Sequence, residues 1–191
     1  MKLAFAIAVT LVALVAPTTA GAAIYFDFQR VTNTNSLLIE TWQDASTGKV
    51  YAQQSWRAGS GTGTDDCVVN VGWLPAGYYN IVEHYDHYDA TKIKGRVWHL
   101  NDKLCSKGSF VRGDLFIHSE ETAANGQTCG YPYDEHWCWD GPSDYYSQGC
   151  IKLAHATPYP SDIGQADNDW HGWGGGTGYL NLYHRVYVYG P

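Results

Sequence analysis

Sustained helical periodicity is scarce in this sequence. After residue 24 no eleven-residue window carries a clear 3.6-residue apolar period, which excludes a coiled coil or an all-helical bundle. Charge is sparse as well: charged residues make up 16% of the chain, and twelve Lys and Arg stand against nineteen Asp and Glu, a net charge of -7. With no cluster of Lys or Arg there is no footprint for a phosphate backbone, so nucleic acid is not an expected partner. No Asn-x-Ser/Thr sequon occurs, so N-glycans are not expected. No stretch reaches the ~20 apolar residues of a spanning helix, so no membrane anchor is expected. Disorder is excluded by what is abundant: 45% of the 191 residues are hydrophobic and 15% aromatic, the profile of one globular domain.

The longest apolar run is at the N-terminus, where Met1-Lys2 leads into Leu3 to Ala16 and stops at Pro17. This reads as a secretory signal peptide over residues 1–22, with Ala20-Gly21-Ala22 as the small-x-small site and cleavage after Ala20 as the alternative. The mature domain, 23–191, is then exported and slightly more acidic, since losing Lys2 leaves eleven basic against nineteen acidic residues. A soluble secreted or cell-wall-associated monomer is expected.

Short β-branched and aromatic runs, punctuated by Gly, Pro, Asn and Asp, follow residue 24. Strands are expected at Leu37 to Trp42, Val50 to Trp56, Val68 to Trp73, Tyr78 to His84, Gly95 to Leu100, Leu115 to Ile117 and Tyr183 to Tyr189. A turn or two of helix fits after Cys150 or over Ser161 to Ala166. The expected fold is mainly β, a single-domain sandwich or barrel with few short helices.

Two segments carry reactive chemistry, Leu115-Phe116-Ile117-His118-Ser119 and Tyr146-Ser147-Gln148-Gly149-Cys150-Ile151-Lys152-Leu153. A free Cys is only a few per cent thiolate at neutral pH, and an imidazole that takes its proton is the usual remedy. His118, ending a strand, suits that role. Gly149 lets the backbone turn sharply and aim successive amides at one point, the way an oxyanion hole is built.

On these motifs the sequence resembles the L,D-transpeptidase catalytic domain (YkuD-like) family, whose signature is Ile-His-Gly/Ser followed by Ser/Thr-His-Gly-Cys-apolar-Arg/Asn. Ala58 to Gly63, the Leu74-Pro75-Ala76-Gly77-Tyr78-Tyr79-Asn80-Ile81 hairpin and the last strand, Val186 to Tyr189, are similar to that family in the same order. The resemblance implies a β fold and a cysteine acyltransferase acting on peptidoglycan stem peptides. Cys150 would be the nucleophile, His118 the base and the Ser119 carbonyl its orienting partner, with the amides of Gln148, Gly149 and Cys150 holding the oxyanion. A stem tetrapeptide would lose its terminal D-Ala through a thioester, and an amine or water would then accept the acyl group. Acylation by carbapenems is implied too, and no cofactor or metal. Gln148 and Lys152 depart from the usual His and Arg/Asn, and 28 residues separate His118 from Ser147, a long insertion.

Five cysteines leave one without an intramolecular mate. Any of the five could be free, and four paired cysteines allow three connectivities. The Ser-Gln-Gly-Cys context singles out Cys150, and the short loop from Cys129 to Cys138 favours that pair, leaving Cys67 for Cys105. On the chain-entropy model the two bridges contribute about 3 and about 4 kcal/mol.

Other features take plainer readings. His84 and His87 could be metal ligands, but a third is not evident and an alternating strand would point them to opposite faces. Gly172 to Gly178 lacks the Lys-Ser/Thr of a phosphate loop and reads as a surface loop. Asp65-Asp66 reads as a solvated turn. Lys92, Lys94, Arg96 and Lys152 are the cations expected to meet an anionic wall. Trp137, Trp139, Trp170 and Trp173 fall in expected loops and could edge a groove. Eight Trp and fifteen Tyr therefore keep two other readings open, a secreted glycan-binding module with a structural Cys150 and an antibacterial effector aimed at a competitor's wall.

Overall fold

The computed structural model describes residues 22–108, 110–129, 137–155, 161–175 and 185–190. The signal segment, Tyr183, His184 and the tail of the glycine-rich run lie outside them.

Among the described residues ten strands form: β1 (Ala22–Gln29), β2 (Ser36–Asp44), β3 (Val50–Ser60), β4 (Gly77–Asp89), β5 (Lys94–Leu100), β6 (Lys103–Leu104), β7 (Val111–Arg112), β8 (Leu115–His118), β9 (Ile151–Leu153) and β10 (Arg185–Tyr189). Eight close into a barrel in the order β1-β10-β4-β5-β8-β9-β3-β2, while β6 and β7 make a separate hairpin. The fold is mainly β and a single domain, as the strand patterning predicts, and of the two architectures expected, sandwich or barrel, it is the barrel.

Alternation explains the closure. Ile24, Phe26 and Phe28 of β1, Trp98 and Leu100 of β5, Leu115 and Ile117 of β8, Ile151 and Leu153 of β9, and Val186 and Val188 of β10 all point into one buried cluster. Each fully buried large apolar side chain contributes about 1.5–3 kcal/mol. Two pairings are parallel, β1 with β10 and β8 with β9. A parallel pair needs a long crossover. For β8 and β9 that crossover is the insertion after His118.

The sequence expectations need several corrections. Val68 to Trp73 is not a strand: Asn70 takes a left-handed φ of 60°, and the amides of Thr62 and Gly63 both donate to the Val71 carbonyl, coiling residues 61–73 into consecutive turns. Gly72 permits this, because a Cβ there would lie 1.9 Å from the Asp65 carbonyl oxygen. Asp66 is buried, accepting from Ser106 Oγ at 2.6 Å, so it is not solvated. Residues after Cys150 form β9, not a helical turn. Ala22–Gln29 is a strand that the sequence reading passed over.

Among the described residues one α-helix forms, α1 (Asp162–Gly172), capped by Ser161 Oγ accepting from the Gly164 amide at 3.2 Å. It lies where a short turn was expected but runs further. Ile163, Ala166 and Trp170 press into the barrel core. Trp170 is therefore a core residue, and Trp173 stacks on Trp42 with centroids 6.3 Å apart, so neither edges a groove over the thiol.

Candidate active site

Register brings the two sequence motifs together. β8 and β9 run parallel with Ile117 opposite Ile151 and His118 opposite Lys152. Because side chains alternate, the odd-numbered apolar residues face the barrel core while Phe116, His118, Cys150 and Lys152 share the outer face. Cys150 packs there with Phe116 and Val97 in a second apolar cluster.

The Cys150 loop is held by a compact hydrogen-bond network. Ser147 Oγ donates to the Cys150 carbonyl at 2.6 Å and accepts from the amides of Gly149 (3.1 Å) and Gly61 (2.9 Å). Ser60 Oγ donates to the Gly149 carbonyl at 3.2 Å and accepts from the Leu74 amide at 3.0 Å. Gly149 has φ 119°, and a Cβ on it would meet Arg112 Nη2 at 2.1 Å. Only glycine fits that site, for backbone and space alike.

Arg112, on the small hairpin, is the buried residue that sequence reading missed. Its Nη1 donates to the Asp66 carbonyl at 2.7 Å and its Nη2 to the Gln148 carbonyl at 2.9 Å. The Cys67–Cys105 disulfide ties the Asp66 turn to this hairpin, so the bridge braces the platform on which Arg112 sits. Cys129–Cys138 is the second bridge, and Cys150 is the free cysteine, as the motif context predicts. Gln148 turns its side chain to solvent and contributes its main chain.

Electrostatics leave both reactive groups neutral at rest. His118 Nδ1 donates to the Ser119 carbonyl at 2.9 Å; a carbonyl can only accept, so the proton sits on Nδ1 and the Nε2 lone pair is free. Burial, helped by the Lys152 cation and opposed by that carbonyl, pushes the imidazole down to about 3. Burial pushes the Cys150 thiol up to about 11, against the Phe116 amide, Lys152 and Arg112, which favour thiolate. Its S–H points to the Asp114 carbonyl, 3.7 Å from Sγ, and among the described residues no hydrogen bond joins it to His118. Among the described residues Ser119 Oγ is buried without a partner, and this residue's contact with the imidazole is through its main chain.

The thiol's position has a measurable consequence. Alkylation by iodoacetamide follows the thiolate fraction, so its rate on Cys150 should climb about tenfold per pH unit from pH 7 to pH 10. A plateau beginning near pH 8.5, the ordinary cysteine value, would contradict the buried thiol.

Compared by sequence, the chain matches no family model and no curated protein. Compared by structure, it is similar to Bd1075 of Bdellovibrio bacteriovorus, with TM-score 0.49 and 10% identity over 91% of this chain and 50% of that one. It is also similar to a fused Zn-dependent amidase/peptidase/peptidoglycan-binding domain-containing protein from Clostridium acetobutylicum, with TM-score 0.39 and 13% identity over 88% of this chain and 52% of that one. The chain spans about half the length of both.

Three of the four expected cations are paired locally, and Lys92 is exposed. Lys152 pairs with Glu120, Lys94 with Asp89 at 2.7 Å, and Arg96 with Glu121 and Asp167 at 2.6 and 3.1 Å. Trp137 lies under Lys94, and Trp139 stands 5.9 Å from Lys152 Nζ. Trp139 also lines a groove of about 390 Å³ with Arg57, Tyr145 and His155. Trp139, unlike Trp170 and Trp173, stands beside the face that carries Lys152.

Proposed function

We propose that this is a secreted cysteine acyltransferase that acts on peptidoglycan stem peptides, an L,D-transpeptidase or L,D-carboxypeptidase. The observation that carries the reading is the shared outer face of β8 and β9, where a neutral imidazole with a free Nε2 neighbours the one free thiol beside a glycine turn. The two disulfides, and the lack of a long apolar helix among the described residues, fit an exported protein. Cleavage after Ala20 would leave β1 whole, since that strand begins at Ala22.

Substrate turns the Cys150 S–H from the Asp114 carbonyl toward His118 Nε2. As Sγ bonds to the carbonyl carbon of the stem's third residue, its proton passes to Nε2. The Gly149 amide is committed to Ser147. The oxyanion therefore falls to the amides of Gln148 and Cys150, in a loop that Arg112 fixes. When the carbon–nitrogen bond breaks, Nε2 returns the proton to the departing D-Ala amine, leaving a thioester. A stem-peptide amine or water then attacks the thioester, gives a proton to Nε2, and sulfur regains it on leaving.

Product analysis on disaccharide-tetrapeptide tests the reading. Release of D-Ala with a dimer marks transfer, and release with a tripeptide marks hydrolysis. Intact tetrapeptide after prolonged incubation would overturn both.

A second reading, glycan binding, has its own observation. On the side of the barrel opposite β8 and β9, Tyr25, Tyr78, Tyr187 and Tyr189 line an open groove of about 580 Å³ together with Asp27 and Gln53. Tyr rings beside amide and carboxylate groups suit the faces and hydroxyls of sugars. Tyr78→Ala with Tyr187→Ala should weaken retention on a peptidoglycan glycan column at least about tenfold, a single lost stacking contact being worth about 1 kcal/mol. Unchanged retention would remove this reading.

A further inference from the structure

Away from the thiol, four metal-ligating side chains converge between β4 and α1. His84 and Asp86 come from the strand, and Asp167 and His171 from the helix; one donor atom from each lies within 4.8 Å of the others. We infer that they form a zinc-class divalent cation site that fastens α1 to the barrel.

The convergence follows from the local backbone. On α1, Asp167 and His171 are four residues apart and so share a face. On β4 the register slips between Ile81 and Glu83, so that His84 comes opposite Trp98. A bulge of this kind re-aims the side chains beyond it. A second shift follows between Tyr85 and Tyr88, and His84 Nδ1 lies 3.7 Å from Asp86 Oδ1. His84 is wedged between Trp98 and Trp170, with ring centroids at 4.9 and 5.3 Å, which fixes its plane. Sequence reading looked to His87 as the companion ligand, but His87 Nδ1 instead contacts the Ala123 carbonyl at 3.1 Å.

The spacings suit an ion. His84 Nε2 is 3.0 Å from Asp167 Oδ1, and His171 Nε2 is 2.7 Å from Asp86 Oδ1 and 3.7 Å from Asp167 Oδ1. Donors at about 2.0 Å from a tetrahedral zinc stand about 3.3 Å apart, inside that spread. Two carboxylates balance the charge of a divalent cation, and two imidazoles select zinc over Mg²⁺ or Ca²⁺, which prefer oxygen donors. Arg96 Nε holds the other Asp167 oxygen at 3.1 Å, the outer contact that orients a ligating carboxylate. The side chains of His84 and Asp167 are 5% and 11% exposed, those of Asp86 and His171 50% and 45%, so half of the site is anchored in the wall and half is open for an ion to enter.

The other cluster of ligand-type residues, Asp65, Asp66 and Cys67, is disqualified because Cys67 is in a disulfide. The β4–α1 site is independent of the thiol chemistry and stands whether or not Cys150 transfers acyl groups.

The test is titration of the chelator-stripped full mature chain with Zn²⁺ against a competing chromophoric chelator, with thermal unfolding in parallel. One zinc per chain and a Tm rise of about 5 °C are expected, with no response to equal Mg²⁺. His171→Ala and Asp86→Ala, both on the open half, should each weaken zinc binding at least tenfold while leaving the zinc-free Tm within about 2 °C. Cys150→Ala should leave binding unchanged. No zinc bound at micromolar concentration, an affinity in both open-half variants unchanged from that of the unsubstituted chain, or loss of binding in Cys150→Ala would overturn the site and leave hydrogen-bonded His–Asp pairs in its place.

Discussion

Replacing Cys150 with alanine is expected to abolish D-Ala release from tetrapeptide stems, a fall of about 10⁴-fold or more. The effect is large because nothing can take over the role. Cys67, Cys105, Cys129 and Cys138 are all bridged, so Cys150 is the single free thiol. The substitution removes one sulfur atom from a small cluster with Phe116 and Val97, so stability should fall by only about 1 kcal/mol. Loss of turnover with an unchanged circular dichroism spectrum is the expected pair of results. Retained turnover would mean that another group carries the chemistry. His118→Ala extends the same logic to the base: with no lone pair at Nε2, the thiol has no acceptor for its proton.

The second large effect is on stability. Glu121 is fully buried three residues after His118, and its carboxylate accepts from the Arg96 amide at 2.9 Å, from Arg96 Nη1 at 2.6 Å and from His155 Nδ1 at 2.7 Å. Gly95 gives it room, since a Cβ there would meet Glu121 Oε2 at 2.4 Å. The carboxylate thus staples the start of the insertion to β5, next to the strand that ends in His118. Removing one member of a buried charge network strands the others, typically at about 3–5 kcal/mol. Glu121→Gln, which keeps the shape and discards the charge, should lower unfolding free energy by that amount in urea and reduce turnover as the 119–121 segment loosens. A loss below about 1 kcal/mol would show that the network contributes little.

Local features of the site were readable in the sequence. Ile117-His118-Ser119 and Ser147-Gln148-Gly149-Cys150 are contiguous motifs, so each can be picked out by its local pattern. The short Cys129–Cys138 loop was legible for the same reason. Arg112 was not, because it acts across the fold: two residues of strand, braced by the Cys67–Cys105 bridge, carry its guanidinium to the Gln148 carbonyl 36 positions away. Its role depends on the hairpin's placement, which no local pattern encodes.

The barrel shows the same division. Alternation in β5 and β10 marks them as strands and sets the inner face, whereas β1, next to the apolar N-terminal run, was passed over. Val68-Val69-Asn70-Val71 reads as a strand by residue type, yet Asn70 in the left-handed region and the nearby disulfide turn it into a loop with its valines exposed. The full length of α1 was hidden by Asp167, a charge on the buried stripe Ile163, Ala166, Trp170. Arg96 and His84, from two strands, receive that carboxylate, and only the folded chain shows it.

The most direct test of the account is the intact mass of the mature protein after incubation with a carbapenem, followed by peptide mapping. The account predicts a single covalent adduct on Cys150, absent in Cys150→Ala and formed far more slowly in His118→Ala. An unmodified protein, or an adduct on any other residue, would contradict it.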